Sequence, residues 1–358
     1  MNRQSVHVII AVSLCCGCDA DPRQAPTASH HNDNVTQQAT AALSPTIQSP
    51  KAAGIESRRQ IETNASDQQQ EYVSYPAAGV KLIRPSGFDD AENFHGFQQP
   101  STQSSVMVLM IPGPYAETTR GFTAEQLKTR GITLRSKEAV EIDGETGLLL
   151  SVTQNAYGTE FAKWIVAFGS ETETRMVTAT FPQSEEANLS DALKEVVLST
   201  KIDDTPATTP GDDVGFAMEA SAKLKLTKGI GKMLMYTKDG AIPAKSLEDP
   251  MFIAALSLSK ISIDNKREFA VQRLFQTAHT RISSVTSNSE IKINGLEGYE
   301  IVADAEDADS GTALKVYQVV LYAEGSYILM QGLVGVTVAD QYLPEFKTMA
   351  RSFTRNPK

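Results

Sequence analysis

From Tyr72 onward the chain alternates short apolar runs with polar breaks. "GVKLIRP", "SVMVLMIPG", "AKWIVAFG" and "RMVTATFP" occupy the first part. "AKLKLTKG", "KMLMYT", "MFIAALSLSKIS", "KVYQVVLYAEG" and "SYILMQGLVGV" occupy the second. Runs this short, rich in β-branched and aromatic residues and bounded by Gly and Pro, predict strands rather than helices. Between the two groups lies "DDTPATTPGDD", Asp203 to Asp213, a polar stretch stiffened by Pro206 and Pro210 that reads as a linker.

Four segments show helical spacing instead. Leu189, Leu193, Val196, Val197 and Thr200 fall on one face, with Ser184 as the expected N-cap and Glu185 and Glu186 in the first turn. Leu343, Phe346, Ala350 and Phe353 do the same near the C-terminus. There Asp340 can cap, and Pro344 requires a place in the first turn. Thr123 and Gln126 stand at capping-box spacing, with Gly131 as a stop. Val271, Leu274, Phe275 and Ala278 predict one buried face of a fourth helix.

One short pattern occurs twice. "EIDGETG" ends at Gly147 and "KINGLEG" ends at Gly298, 151 positions apart. Asp143-Gly144 and Asn294-Gly295 are the dipeptides favoured in two-residue type I′ hairpins, because both positions need positive φ. Two further strand-like runs follow each signal, joined at Gly169 to Thr174 and at Glu324-Gly325, and each half then ends in a helix. The order of strands, helix, three-stranded meander and helix therefore repeats. It predicts an α+β fold of two similar domains, each an antiparallel sheet flanked by helices.

That order, with "I[DN]GxxG" opening the meander, resembles the PsbP-like fold, which includes DcrB-like bacterial envelope lipoproteins. The resemblance covers about 72–202 and 214–354. It implies a binding or assembly module, and it brings no catalytic residues with it. A tandem pair on a lipoprotein is also similar to two-domain immunity proteins that neutralise type VI lipase effectors.

The first residues supply an address. Met1 to Arg3 are a basic start, and Val6 to Leu14 are an apolar run too short to span a bilayer core of about 30 Å. All three cysteines, Cys15, Cys16 and Cys18, follow at once. The segment resembles a lipobox, with Gly17 before Cys18 and with Leu14 one place early. Lipidation at Cys18 is expected, with a signal peptide over 1–18 and membrane attachment through the lipid. Residues 19–70 lack aromatics and are dominated by Gln, Asn, Ser, Thr, Ala and Pro. They read as a disordered tether. Domains are expected over 71–203 and 214–358, with 204–213 between them.

Net charge is −10 and the sequence pI about 5.1. That balance argues against nucleic acid, whose phosphates call for Lys and Arg surfaces. Candidate chemistry is sparse. His30-His31 falls in the tether, and "KGIGKM" lacks the Ser or Thr of a phosphate loop. His95 and His279 are the only histidines beyond the tether, and there is no G-x-S-x-G elbow. His279 reads as a favourable charge at a helix C-terminus. Asp304, Glu306, Asp307 and Asp309 in "DAEDADSG" are the best candidates for a calcium site, although the EF-hand register fails. Trp164 reads as core. Phe94, His95 and Phe97, set among polar residues in "ENFHGFQQP", are the candidate partner-contact patch. The expectation is a non-catalytic, membrane-anchored envelope lipoprotein without a cofactor. Its partner is a protein, and the alternative is an immunity lipoprotein against a secreted type VI lipase.

Overall fold

The computed structural model describes residues 71–156, 158–205, 214–227, 230–240, 242, 246, 248–258 and 261–355. The signal segment, the tether, most of the linker, and Lys228 and Gly229 of "KGIGKM" lie outside these residues.

Two seven-stranded antiparallel sheets dominate. The first comprises β1 (Asp89–Asp90), β2 (Gly96–Gln99), β3 (Ser104–Pro112), β4 (Ile132–Ile142), β5 (Glu145–Ala156), β6 (Thr159–Gly169) and β7 (Glu173–Pro182). Their spatial order is β1-β2-β3-β7-β6-β5-β4. The second comprises β8 (Lys225–Leu226), β9 (Met233–Thr237), β10 (Met251–Leu256), β11 (Thr280–Ile293), β12 (Leu296–Asp307), β13 (Ala313–Ala323) and β14 (Ser326–Gly335). Their order, β8-β9-β10-β14-β13-β12-β11, is the same. Among the described residues, β4 and β11 each pair on one side only, so they form the outer edges.

The repeated motif makes the tight turns expected of it. Asp143 and Gly144 have φ of 51° and 86°, and Asn294 and Gly295 have φ of 46° and 80°. Ile142 and Ile293, just before the turns, are buried. The final Gly of each motif allows the next strand to approach. A Cβ on Gly147 would fall 2.8 Å from the Ala167 carbonyl oxygen, and one on Gly298 would fall 2.1 Å from that of Val320. A register shift also recurs at the 151-residue offset, between Leu134 and Ser136 in β4 and between Val285 and Ser287 in β11. Each shift leaves a straight run of seven residues before the turn. β11 carries one more, between Ile282 and Ser284.

Helices cover the sheets: α1 (Tyr115–Arg120), α2 (Ala124–Lys128), α3 (Glu186–Leu198), α4 (Lys266–Phe275) and α5 (Ala339–Arg351). In the first half Leu193, Val196 and Val197 of α3 pack on Val106, Val108, Val166, Phe168, Val177 and Ala179. Trp164 is half-buried against this layer. Its Nε1 donates to Ser190 Oγ at 3.1 Å, and Lys194 Nζ lies 4.8 Å from the ring centre. In the second half Tyr342, Phe346, Met349 and Ala350 of α5 pack on Leu234, Tyr236, Phe252, Tyr317, Val319 and Ile328. Tyr317 Oη donates to Glu300 at 2.8 Å, and Arg351 of α5 holds the same carboxylate at 3.0 Å. The opposite face of the second sheet lies under α4, where Ala270 and Leu274 meet Ile301, Ala303, Val316, Val320 and Leu329.

Several helix details differ from the sequence reading. Thr123 caps α2 by accepting from Gln126 N at 3.3 Å, as its spacing predicts. Ser184 does not cap α3, because a 3-10 turn over Gln183–Glu185 precedes that helix and moves the cap position to Glu185. Pro344 sits inside α5, beyond its first turn, because the helix begins at Ala339 rather than after Asp340. In α4 the buried residues are Ala270, Arg273 and Leu274, while Phe275 is 56% exposed. The helix turns Phe275 outward, and Ala278 lies beyond its end. No helix among the described residues is long and apolar enough to cross a membrane.

Candidate interaction surface

The free face of the first sheet and the β9–β10 face of the second share one apolar cluster. Along β3, Val106 and Val108 point toward α3, while Met107, Leu109 and Ile111 point the other way. Along β9 and β10, Leu234, Tyr236, Phe252 and Ala254 point toward α5. Met233, Met235, Met251 and Ile253 join Met107, Leu109, Ile111, Leu150, Val152 and Met176. The two halves therefore meet at a seam. Polar contacts run along it: Asn93 Nδ2 donates to the Ser257 carbonyl at 2.8 Å, and Lys232 Nζ donates to that of Glu92 at 2.9 Å. Gly231 takes a φ of 57° here, and a Cβ on it would fall 2.9 Å from Leu109 Cδ2, which would have to shift.

Methionine is concentrated at the seam. Five of the ten in the chain, Met107, Met176, Met233, Met235 and Met251, are buried there. Its thioether and flexible stem fill irregular gaps between surfaces not made from one continuous ladder. Each such side chain, moved from water to a buried site, contributes about 1.5–3 kcal/mol. Sequence reasoning missed the seam, although a signal was present. "SVMVLMIP", "KMLMYT" and "MFIAAL" lack the alternation of a strand with one wet face, and continuous apolar runs mark burial on both faces.

The expected contact patch is corrected by burial. Phe94, His95 and Phe97 are 5%, 7% and 0% exposed. Phe94 joins the seam cluster, so the surface it meets belongs to this same chain. Phe97 lies in the layer under α3, edge-on to Tyr75 at 5.7 Å and beneath the Arg84 guanidinium at 4.9 Å. His95 sits beside Tyr75, with ring centres 6.4 Å apart. Burial pushes the Tyr75 hydroxyl well above its ordinary pKa.

The acidic loop spreads its carboxylates to separate partners. Asp304 pairs with Lys315 and accepts from Ser284 Oγ at 3.1 Å; the Lys315 contact holds its pKa below the usual carboxylate range. Glu306 pairs with Arg281 at 2.8 Å. Asp307 is buried and accepts from the backbone N–H groups of Asp309 and Ser310 at 3.2 and 2.7 Å, and from Ser310 Oγ at 2.7 Å. Asp309 lies 3.9 Å from His279 Nδ1. Asp304 and Glu306 share one face of β12 but engage different cations, while Asp307 lies on the other face. No cluster of three or more metal-binding side chains occurs among the described residues.

His279 is not a helix-terminal charge. It lies four residues past α4 with φ of 54°. Burial lowers its pKa, and Arg130 of the first half lowers it further, against the pull of Asp309 and Asp307. His95 packs beside Tyr75 in the first half, whereas His279 lies near Asp309 in the second.

Among the described residues, the outer strands of the hairpins β4–β5 and β11–β12 stand open to a macromolecule. Most side chains of β4 and β11 are exposed. Cys18, the expected lipidation site, lies outside the described residues.

No family model matches the chain, and no curated protein sequence matches it. Among solved structures, cyanobacterial PsbP from Synechocystis is 12% identical at a TM-score of 0.29, covering 37% of this chain and 91% of that one. The apo immunity protein TplEi of the type VI secretion system of Pseudomonas aeruginosa is 12% identical at a TM-score of 0.29, covering 80% and 98%. The Tle4–Tli4 complex gives 10% identity and a TM-score of 0.29, covering 77% and 100%.

Proposed function

We propose that this chain is a non-catalytic protein of the cell envelope, held at a membrane by a lipid on Cys18, that binds a protein partner through its outer hairpins. In this reading 19–70 is the tether, and 71–203 and 214–358 are two copies of one domain. The observation that carries it is the paired architecture: two sheets of one strand order, joined through a buried seam, each presenting a long exposed outer strand. Neutralisation of a secreted type VI lipase is the narrower form of the same reading.

Photo-crosslinking in intact envelopes tests it, with the crosslinker placed at Glu138 of β4 and at Ser283 of β11. The expected result is a defined adduct with one other protein, and release of the chain from the membrane fraction by Cys18→Ser. A lipase effector in the adduct selects the narrower form. No heteromeric adduct from either hairpin defeats the binding reading, and a Cys18→Ser chain that stays in the membrane fraction defeats the anchor.

A further inference from the structure

We propose that the outer edge of β11, from Ser287 to Ile293, pairs antiparallel with the same segment of a second copy of this chain. This self-association is separate from the lipid anchor, and it leaves the β4–β5 hairpin and the first half of β11 to a heteromeric partner.

An exposed sheet edge is a row of unpaired backbone donors and acceptors, and proteins ordinarily blunt it with charge, bulges or cover. Both irregularities of β11 lie in its first half. From Ser287 to Ile293 its register against β12 is unbroken, running from Ser287 opposite Val302 to Ile293 opposite Leu296. This is a straight free edge of seven residues.

The charges on it do not guard it against itself. Glu290 and Lys292 are exposed, and neither makes a side-chain hydrogen bond or ion pair among the described residues. An antiparallel pairing centred on Ile291 sets Glu290 of each copy opposite Lys292 of the other, giving two cross-strand ion pairs at once. Opposite charges in that position stabilise a sheet, and like charges destabilise it. Centring on Glu290 or on Lys292 instead opposes like charges, so the sequence selects one register. Ile291 is half-buried against the layer beneath α5. Meeting its copy across the two-fold would extend that apolar layer from one chain into the next.

The matching straight run of β4, Ser136 to Ile142, has Ala139 and Glu141 where β11 has Glu290 and Lys292. A pairing centred on Val140 would set Ala139 of each copy opposite Glu141 of the other and form no ion pair there. The asymmetry singles out β11.

Sedimentation equilibrium tests the proposal, using the full chain with Cys15, Cys16 and Cys18 replaced by Ser. A reversible dimer is expected. Glu290→Lys and Lys292→Glu, each creating two like-charge pairs, should each weaken it about tenfold or more. The double swap Glu290→Lys with Lys292→Glu should restore it to within about threefold. Both positions are exposed, and circular dichroism verifies folding of each variant. Ile291→Cys, the sole thiol in that background, should oxidise to a symmetric disulfide-linked dimer. A wild-type chain that remains monomeric at the highest concentration reached overturns the proposal. So does a dimer unaffected by either single reversal.

Discussion

Gly298 of β12 lies so close to Val320 of β13 that a methyl group on it would sit 2.1 Å from the Val320 carbonyl oxygen. The last Gly of the repeated motif is thus required by strand approach, separately from the turn that precedes it. Gly298→Ala is expected to destabilise the protein by about 2 kcal/mol, typical of forced overpacking. Gly147→Ala, whose nearest contact is 2.8 Å, should cost less. Urea unfolding of both variants checks the order; equal stability with wild type would remove the packing account.

The seam couples the halves. Trp164 is the only tryptophan and reports on the first half. Met235 belongs to the second half and is buried in the seam. Met235→Ala should lower the stability read by Trp164 fluorescence by about 2–4 kcal/mol, the usual cost of truncating a buried Met. Fluorescence and far-ultraviolet circular dichroism should follow one transition. A Trp164 transition indifferent to Met235 would mean that the halves unfold independently.

Acid should weaken the protein through His279. Its folded pKa is lowered, first by burial and then by Arg130, so the unfolded chain takes up a proton that the folded chain resists. Stability is therefore lost as pH falls through the ordinary histidine value of about 6.5 toward the lower folded value, and is level above that window. His279→Asn, which tolerates positive φ, should flatten this part of the profile. Unfolding free energies between pH 8 and 5 measure it, and an unchanged slope would exclude His279 as the cause.

Asp307 acts as a loop cap. Its carboxylate holds the N–H groups of Asp309 and Ser310 and the Ser310 hydroxyl. Asp307→Ala leaves these donors without their acceptor and should cost about 1–3 kcal/mol. Calorimetric titration with Ca²⁺ should give no binding heat, because the neighbouring carboxylates are directed to Lys315, Arg281 and His279. Saturable heat that disappears in Asp307→Ala would establish a calcium site instead.

Much of the secondary structure was legible along the chain because local rules govern it. The Asp-Gly and Asn-Gly pairs demanded positive φ and made hairpins. The meander runs became strands, and Thr123 capped its helix. Legibility failed where a neighbour in space decided. Ser184 lost the cap to a 3-10 turn. Phe94, His95 and Phe97 looked exposed in a polar stretch, but the seam and the layer under α3 enclose them. Phe275 fitted an apolar stripe, but the sheet under α4 takes only Ala270, Arg273 and Leu274.

The sequence by itself determined the repeated order of elements, its two tight turns and the acidic balance, since backbone sterics and side-chain periodicity act within a few residues. The tertiary structure alone decided that the second face of the first sheet would be closed by Met233, Met235, Met251 and Ile253. It also decided that β11 would end the second sheet with Glu290 and Lys292 unpaired. Contacts between distant segments depend on which faces are left uncovered after each sheet forms; a continuous apolar run marks a strand buried on both faces but does not name the segment that covers it.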